Sequence, residues 1–214
     1  MKTFKYIWVI YFIGVVLVVV NAEDSELTKL MKEHEIIPDV LDEAPMQFLK
    51  VTYVDDVSAD RGIELTPTQV KDPPNVEWEP ETDDTYYTLL LTNPDVPSRE
   101  NPAWRDWVHW LVVNIPGNQI DNGEVLDDYI GAGGRPGTGL HRYIILLFKQ
   151  PGKLEFDEQR HGKTEAAGRE NLYTRQFMEK YQLGTPVAGN VFLSQYDDYV
   201  PILYKQLDIP MKWS

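Results

Sequence analysis

The chain has no cysteine among its 214 residues, and it contains no Asn-x-Ser/Thr glycosylation signal. The first absence excludes disulfides, thiolate metal sites and cysteine nucleophiles. The second excludes N-glycosylation. Cations are also scarce, because 20 Lys and Arg stand against 34 Asp and Glu, which gives a formal net charge of −14. This charge repels nucleic acid at long range, so nucleic acid is not an expected partner.

The N-terminus has the features of a secretory signal peptide. Two lysines precede an apolar run from Tyr6 to Val20, and the small residue Ala22 follows it. The run is shorter than the ~20 apolar residues that span a bilayer, which favours cleavage after Ala22 over an uncleaved anchor. We therefore predict a signal peptide over residues 1–22 and a secreted mature chain. Loss of two lysines changes its formal charge to −16.

We divide the mature chain into a charged N-terminal arm, residues 23–44, and a single domain, residues 45–214. Within the arm, one short helix from Ser25 to Ile37 would end before Pro38. β-branched and aromatic runs bounded by Pro, Gly, Asn and Asp predict strands in the domain. These runs are Gln47–Val54, Thr85–Thr92, Trp107–Ile115, His141–Lys149 and the later NVFLSQY.

The spacing of these strands favours an antiparallel sheet or sandwich over repeated βαβ units. The runs Trp107–Ile115 and His141–Lys149 are apolar on both faces, which is typical of strands at the centre of a covered sheet. Two helices are predicted near the C-terminus, in Gly168–Leu183 and Asp197–Leu207. The fold class is thus mainly β, with a few helices.

A glycine loop, Gly131–Gly139, contains five glycines and one proline and leads directly into a predicted strand. No lysine follows the glycines and no helix follows the loop, so the phosphate-binding loops of nucleotide-binding proteins are excluded. Two interpretations stay open. The loop is either a tight turn before a strand or a site where bare backbone amides approach an anion.

Two histidines lie on predicted strands and could meet. His141 and Tyr143 share one face of their strand, while Trp107, His109, Leu111 and Val113 share one face of theirs. Each histidine is either a satisfied core residue or a functional one.

Asp95 stands between two prolines, in an Asx turn or as a fixed ligand-binding carboxylate. Trp104 and Trp107 could line a small pocket or belong to the core. A metal site of Asp95, His109 and His141 and a hydrolase triad are weaker alternatives, and no G-x-S-x-G motif is present.

Five segments together closely resemble the phosphatidylethanolamine-binding protein family, which includes Raf kinase inhibitor protein. They are NPDVPSR, WRDWVHWLVVNIPGN, GAGGRPGTGLHRYIILLFKQPGKLEFDE, PVAGN and DDYVPILYKQL. The resemblance extends from Ile37 to Leu207 and points to the secreted invertebrate branch. It implies a large antiparallel sheet packed on a smaller one, with Greek-key connections and C-terminal helices.

The resemblance also implies a small pocket at one end of the sheet that takes phosphate-like anions and phospholipid headgroups such as phosphatidylethanolamine. The expected ligand-binding residues are Asp95, Pro97, Trp104, Trp107, His109, Gly133, Gly134, His141, Tyr143 and Tyr204. We expect a monomeric, non-enzymatic binding protein without catalytic residues, metal or cofactor. The alternative is an extracellular serine protease inhibitor or signalling modulator that acts through protein contacts.

Several positions depart from the family pattern. Asn93 stands where many members have an acid, Trp104 stands where a smaller aromatic is usual, and Gly134 and Arg135 stand where two prolines are common. The segment after Glu158 is also shorter than in animal members, so contacts made there cannot be assumed.

If a bound phosphate accepts hydrogen bonds from His109 and His141 while Asp95 orients one ring, anion affinity should rise as the pH falls.

Overall fold

The computed structural model describes residues 24–211, so the predicted signal peptide lies outside the described residues. The helices are α1 (Glu26–Glu33), α2 (Ile36–Asp39), α3 (Thr174–Lys180) and α4 (Val200–Gln206). The strands are β1 (Gln47–Phe48), β2 (Lys50–Thr52), β3 (Asn75–Glu77), β4 (Tyr86–Asn93), β5 (Trp107–Pro116), β6 (Glu124–Asp127), β7 (His141–Lys149) and β8 (Ala188–Ser194). None of the helices between residues 24 and 211 is long and apolar enough to cross a membrane.

Six strands form the large sheet in the order β1-β8-β7-β4-β5-β6, and β2 and β3 form a separate small sheet. The hairpin-linked strands β4, β5 and β6 are followed by a long connection that returns β7 to the free side of β4. This arrangement is a Greek key and confirms the predicted connections. The large sheet is mixed rather than wholly antiparallel, because the short β1 pairs with β8 in parallel.

The large sheet is covered on both faces, as the apolar strand runs predicted. Alternate residues of β7 face opposite sides, so Tyr143 and Ile145 pack toward the small sheet while Ile144 and Leu146 pack toward the helices. All residues of β7 from His141 to Phe148 are buried. The alternation also sends His141 and Arg142, at the start of β7, to opposite sides of the sheet.

The N-terminal segment, predicted as a charged arm, packs on one face of the sheet through buried Leu27, Met31 and Ile36. The Ser25 hydroxyl accepts a hydrogen bond from the Thr28 amide and starts α1. The prediction of one helix from Ser25 to Ile37 was wrong in extent, because α1 ends at Glu33 and a separate short turn of helix follows.

Two further predictions change in detail. The single strand predicted over Gln47–Val54 is divided, because its first residues join the large sheet and Lys50–Thr52 join the small one. In β5, a bulge lies where Leu91 pairs with Trp110 and Thr92 with Val108. A bulge inserts one residue and reverses the alternation beyond it. Leu111 and Val113 therefore pack toward the helices, and the prediction that they share a face with Trp107 and His109 was wrong.

Candidate functional site

A cavity of about 120 Å³ lies beside the glycine loop, where β5, β7 and α4 meet. It is smaller than the ~300–1,000 Å³ of pockets that enclose drug-sized ligands, so it suits a headgroup-sized ligand. Nine of the ten predicted site residues line it: Pro97, Trp104, Trp107, His109, Gly133, Gly134, His141, Tyr143 and Tyr204. Asp95 does not line it.

Aromatic contacts hold the inner wall together. The His109 ring packs edge-on between Trp107 and Tyr143, with centroid distances of 4.4 and 4.9 Å. Tyr143 in turn stacks on Phe192, with centroids 4.9 Å apart and planes 10° from parallel. Because β5 and β7 do not pair directly but flank β4, these ring contacts are what join their side chains across it.

His141 is held in one tautomer by a chain of hydrogen bonds. The Asp95 amide donates to Oδ1 of Asn93 at 2.8 Å, which leaves the Asn93 amino group to donate to Nδ1 of His141 at 3.3 Å. Nε2 of His141 then donates to Oγ1 of Thr138 at 2.8 Å, and the Thr138 hydroxyl donates to the Arg135 carbonyl at 2.8 Å. Asn93 and Thr138 therefore favour a neutral imidazole with its proton on Nε2.

His109 is also neutral. Its Nδ1 donates to the Ile130 carbonyl at 2.8 Å, and burial lowers its pKa to about 3. Burial also lowers the pKa of His141, although the charge of Asp95 partly opposes that shift. The expectation that both imidazoles donate N–H groups to an anion is corrected, because each N–H already has a partner in the protein.

The role predicted for Asp95 is corrected as well. Its carboxylate lies on the opposite side of the sheet from the cavity, where it accepts bonds from the Arg142 guanidinium at 2.6 and 2.9 Å. It also accepts from the Arg142 amide at 2.8 Å. Asp95 thus does not orient a histidine ring, and Asn93 does so instead. The sequence indicated that Asp95 lies near the strand of His141, but it did not indicate that the partner of Asp95 would be Arg142.

Arg135 is the cation at the mouth of the cavity. Its guanidinium lies 5.8 Å from the ring of Trp104, which is 45% exposed. Burial raises the pKa of Tyr204, and the hydrogen bond and the charge of the nearby Arg135 oppose that shift. Within residues 24–211, Arg135 has no carboxylate as a salt-bridge partner.

Another part of the lining is apolar and, apart from Tyr204, comes from residues that were not predicted. This apolar wall consists of Ile130, Ala166, Leu203, Leu207 and Ile209. Leu203 of α4 and Leu207, the residue that follows the helix, are four residues apart and lie on one face, a spacing that could have identified them. Ala166 and Ile130 come from loops, where no periodic pattern identifies an inward residue. Asn93, Val96, Gly131 and Arg135 complete the lining.

Two glycines of the loop permit close packing around the cavity. A Cβ at Gly133 would lie 3.0 Å from Cδ2 of Leu203, and one at Gly134 would lie 3.3 Å from Nε2 of His141. The Tyr204 hydroxyl donates to the Gly133 carbonyl at 2.9 Å and fastens α4 to the loop. The glycine loop is therefore a wall of the cavity as well as a turn.

The chemistry of the cavity follows from its charges. With both histidines neutral, Arg135 carries the only formal charge among the described lining residues, and these residues include no carboxylate. Furthermore, no group of three His, Asp or Glu side chains within the described part of the chain could hold a metal ion. Asp95, His109 and His141 therefore do not form the metal site that their residue types left open.

Residues 44–192 match the family model described as "Phosphatidylethanolamine-binding protein". A Drosophila melanogaster protein, "Putative odorant-binding protein A5", is 41% identical over 184 residues, which cover 86% of this chain and 87% of that protein.

Two solved structures share the fold. The solution structure of CG7054 matches with 45% identity and a TM-score of 0.65, covering 81% of this chain and 98% of the other. The carboxypeptidase Y inhibitor, solved with its cognate proteinase, matches with 23% identity and a TM-score of 0.66, covering 79% and 95%.

Proposed function

The chain belongs to the phosphatidylethanolamine-binding protein family, and we propose that it binds a small phosphate-bearing ligand in the cavity without catalysing a reaction on it. Free phosphate esters and phospholipid headgroups share this chemistry. The observation that carries the proposal is the charge of the lining: among the described residues it has one arginine, which has no carboxylate partner, and no acid.

The acidic surface of the protein does not prevent this binding. Screening over ~8–10 Å at physiological salt weakens the effect of distant acids, whereas Arg135 acts at contact distance. The Asp95 carboxylate, the buried acid next to the site, is neutralised by Arg142. The local charge therefore decides which ligand enters.

We expect a substitution that fills the cavity with a larger side chain to weaken ligand binding. Replacement of Ala166 by phenylalanine adds a ring to the cavity wall and should weaken methyl phosphate binding several-fold, because the ring and the ligand compete for space. Titration calorimetry measures the affinity. Ala167→Phe is the matched control, since Ala167 is exposed and does not line the cavity. Equal affinities of the two variants would contradict binding in this cavity.

The dependence on pH should come from His141 alone. Methyl sulfate keeps one negative charge between about pH 5 and 8, so only the protein titrates. A bound anion favours the protonated imidazole. Burial holds the pKa of His141 below 6.5 in the free protein, and a bound anion would raise it. Affinity should therefore rise as the pH falls through the pKa of the complex and level off below the pKa of the free protein. His109 adds nothing in this range, since its pKa is about 3.

Calorimetric titrations at several pH values give this profile, and His141→Gln should make it flat. The same rise in affinity at low pH in His141→Gln would contradict this assignment.

We further propose that the protein is secreted as a monomer after cleavage at Ala22, in agreement with the relative described as odorant-binding. N-terminal sequencing of protein from its source tests the cleavage. The carboxypeptidase Y inhibitor is 23% identical to this chain, a likeness that extends to the fold alone. Inhibition of an extracellular protease or a role in signalling therefore stays a prediction, which capture of partners from extracellular fluid would test.

A further inference from the structure

The lining of the cavity has two chemically different parts. Arg135 and the His141 network come from the glycine loop and β7, while the apolar wall comes from α4, the residues after it and two loops. Leu203 and Leu207 of this wall are buried, and Ile130 packs against them in a cluster separate from the two main cores. Because the cavity holds only about 120 Å³, the remainder of a ligand whose charged group contacts Arg135 meets these aliphatic side chains.

An ammonium group at that end would have no carboxylate to pair with. Among residues 24–211, the lining has no acid, and the nearby Asp95 carboxylate already accepts three hydrogen bonds from Arg142. Asn93, which does face the cavity, directs its amino group rather than its oxygen toward His141, because its oxygen accepts the Asp95 amide. Burial of an unpaired cation against apolar groups is unfavourable.

The two indole rings of the lining do not compensate for this, although indoles can bind cations. Both indole rings of the lining already have an arginine nearby. The Arg135 guanidinium lies 5.8 Å from Trp104, and the buried Arg169 guanidinium lies 5.7 Å from Trp107. An ammonium placed near either ring would also be placed near one of these guanidinium groups, and the like charges repel each other.

This inference rests on the proposed anion site. We propose that the cavity selects phosphate monoesters with a short uncharged alkyl group over phosphate esters that carry an ammonium group. The alkyl group contacts the apolar wall, and the phosphate contacts Arg135. The volume of about 120 Å³ limits the alkyl group to a few carbons inside the cavity. The selected ligand thus carries charge on its phosphate group and none on its alkyl group.

Two probes of equal size separate these chemistries. n-Propyl phosphate and phosphoethanolamine differ by a methyl group in place of the ammonium, and titration calorimetry on the mature chain measures both. We expect n-propyl phosphate to bind at least about fivefold more tightly, and more tightly than methyl phosphate by a similar factor, because its added methylenes are buried. The comparison with methyl phosphate uses the unaltered protein and so does not depend on any variant folding.

A variant of the apolar wall should change this preference. Ile209→Glu places a carboxylate in the wall and should reduce or reverse the preference for n-propyl phosphate. Ile202→Glu is the matched control, because Ile202 is 54% exposed on α4 and does not line the cavity. The control should keep the preference of the unaltered protein.

Equal affinities for n-propyl phosphate and phosphoethanolamine, or tighter binding of phosphoethanolamine, would overturn this selectivity and leave the proposed anion site standing. Equal affinities for methyl and n-propyl phosphate would do the same, since the apolar wall would then contribute nothing. If none of the three phosphate esters binds, the proposed function fails as well, and the selectivity fails with it.

Discussion

Replacement of Arg142 by methionine is expected to lower the free energy of unfolding by about 3–5 kcal/mol, the usual effect of removing one partner of a buried ion pair. The Arg142 side chain is 3% exposed, and that of Asp95 is 1% exposed. Burial alone would lower the pKa of Arg142, but its hydrogen bonds to the Asp95 and Asp39 carboxylates raise it above its ordinary value. Without Arg142, the Asp95 carboxylate stays buried with no cation.

The substitution of Arg142 also removes hydrogen bonds to the N-terminal segment. Arg142 donates to the backbone carbonyls of His34 and Glu35 at 3.1 and 2.9 Å, and to the Asp39 carboxylate at 2.7 Å. These bonds attach the turn between α1 and α2 to the strand that bears His141. Arg142→Met therefore removes the guanidinium that pairs with Asp95 and the donor to the Glu35 carbonyl at once, while Asp39 keeps Arg105. The loss of the buried pair places the effect in the upper range of single substitutions.

Urea denaturation measures the effect, with Arg99→Met as the control. Arg99 donates to the same segment, at the His34 carbonyl and the Glu35 carboxylate, but it is 38% exposed. An exposed pair contributes ~0–1 kcal/mol. The double variant Arg142→Met with Asp95→Leu should lose less stability than the sum of the two single variants, because no charge is left unpaired. A loss for Arg142→Met as small as that for Arg99→Met would contradict this account.

Replacement of Arg135 by glutamine is expected to weaken methyl phosphate binding by roughly 10–100-fold. A hydrogen bond to a charged group contributes ~1.5–3 kcal/mol, and about 1.4 kcal/mol corresponds to a factor of ten. Arg135 is the one charged residue of the described lining, so no other residue there replaces its charge. The side chain is partly exposed and contacts Trp104, so the fold should be retained.

Two further variants separate charge from shape in this experiment. Arg135→Lys keeps the charge and should retain part of the affinity, although lysine lacks the paired N–H groups of arginine. Arg160→Gln removes a surface cation that pairs with Glu124 outside the cavity and should change the affinity by less than about twofold. Affinity of Arg135→Gln within twofold of the unaltered protein would show that Arg135 does not bind the anion.

Much of the site could be predicted from local patterns. The alternation along β7 correctly placed His141 and Tyr143 on one side, and the glycines before it indicated a loop that permits close contacts. The strands β4, β5 and β7 were predicted to within one residue of their observed bounds. These features depend on backbone geometry over a few residues, and the residues at those same positions determine that geometry.

Other features of the fold and the site could not be predicted from local sequence patterns. The bulge in β5 depends on its register with β4, and it reverses the direction of the side chains beyond it. The N-terminal segment carries many charges, yet it packs on the domain, and five arginines of the domain bond to it: Arg61, Arg99, Arg105, Arg142 and Arg175. The apolar wall combines two loops with α4, which come together only in the folded chain.

The sequence by itself determined the family, the strands and the pair of histidines, because short-range periodicity and motif spacing are sufficient for these. Only the tertiary structure decided the charge of the cavity. Asp95 and Arg142 are 47 positions apart in the chain, and the folded sheet brings them together on the side away from the histidines. That pairing leaves Arg135 as the charge at the cavity. The net charge of a site depends on which ionised groups become neighbours, and residue spacing alone does not specify those neighbours.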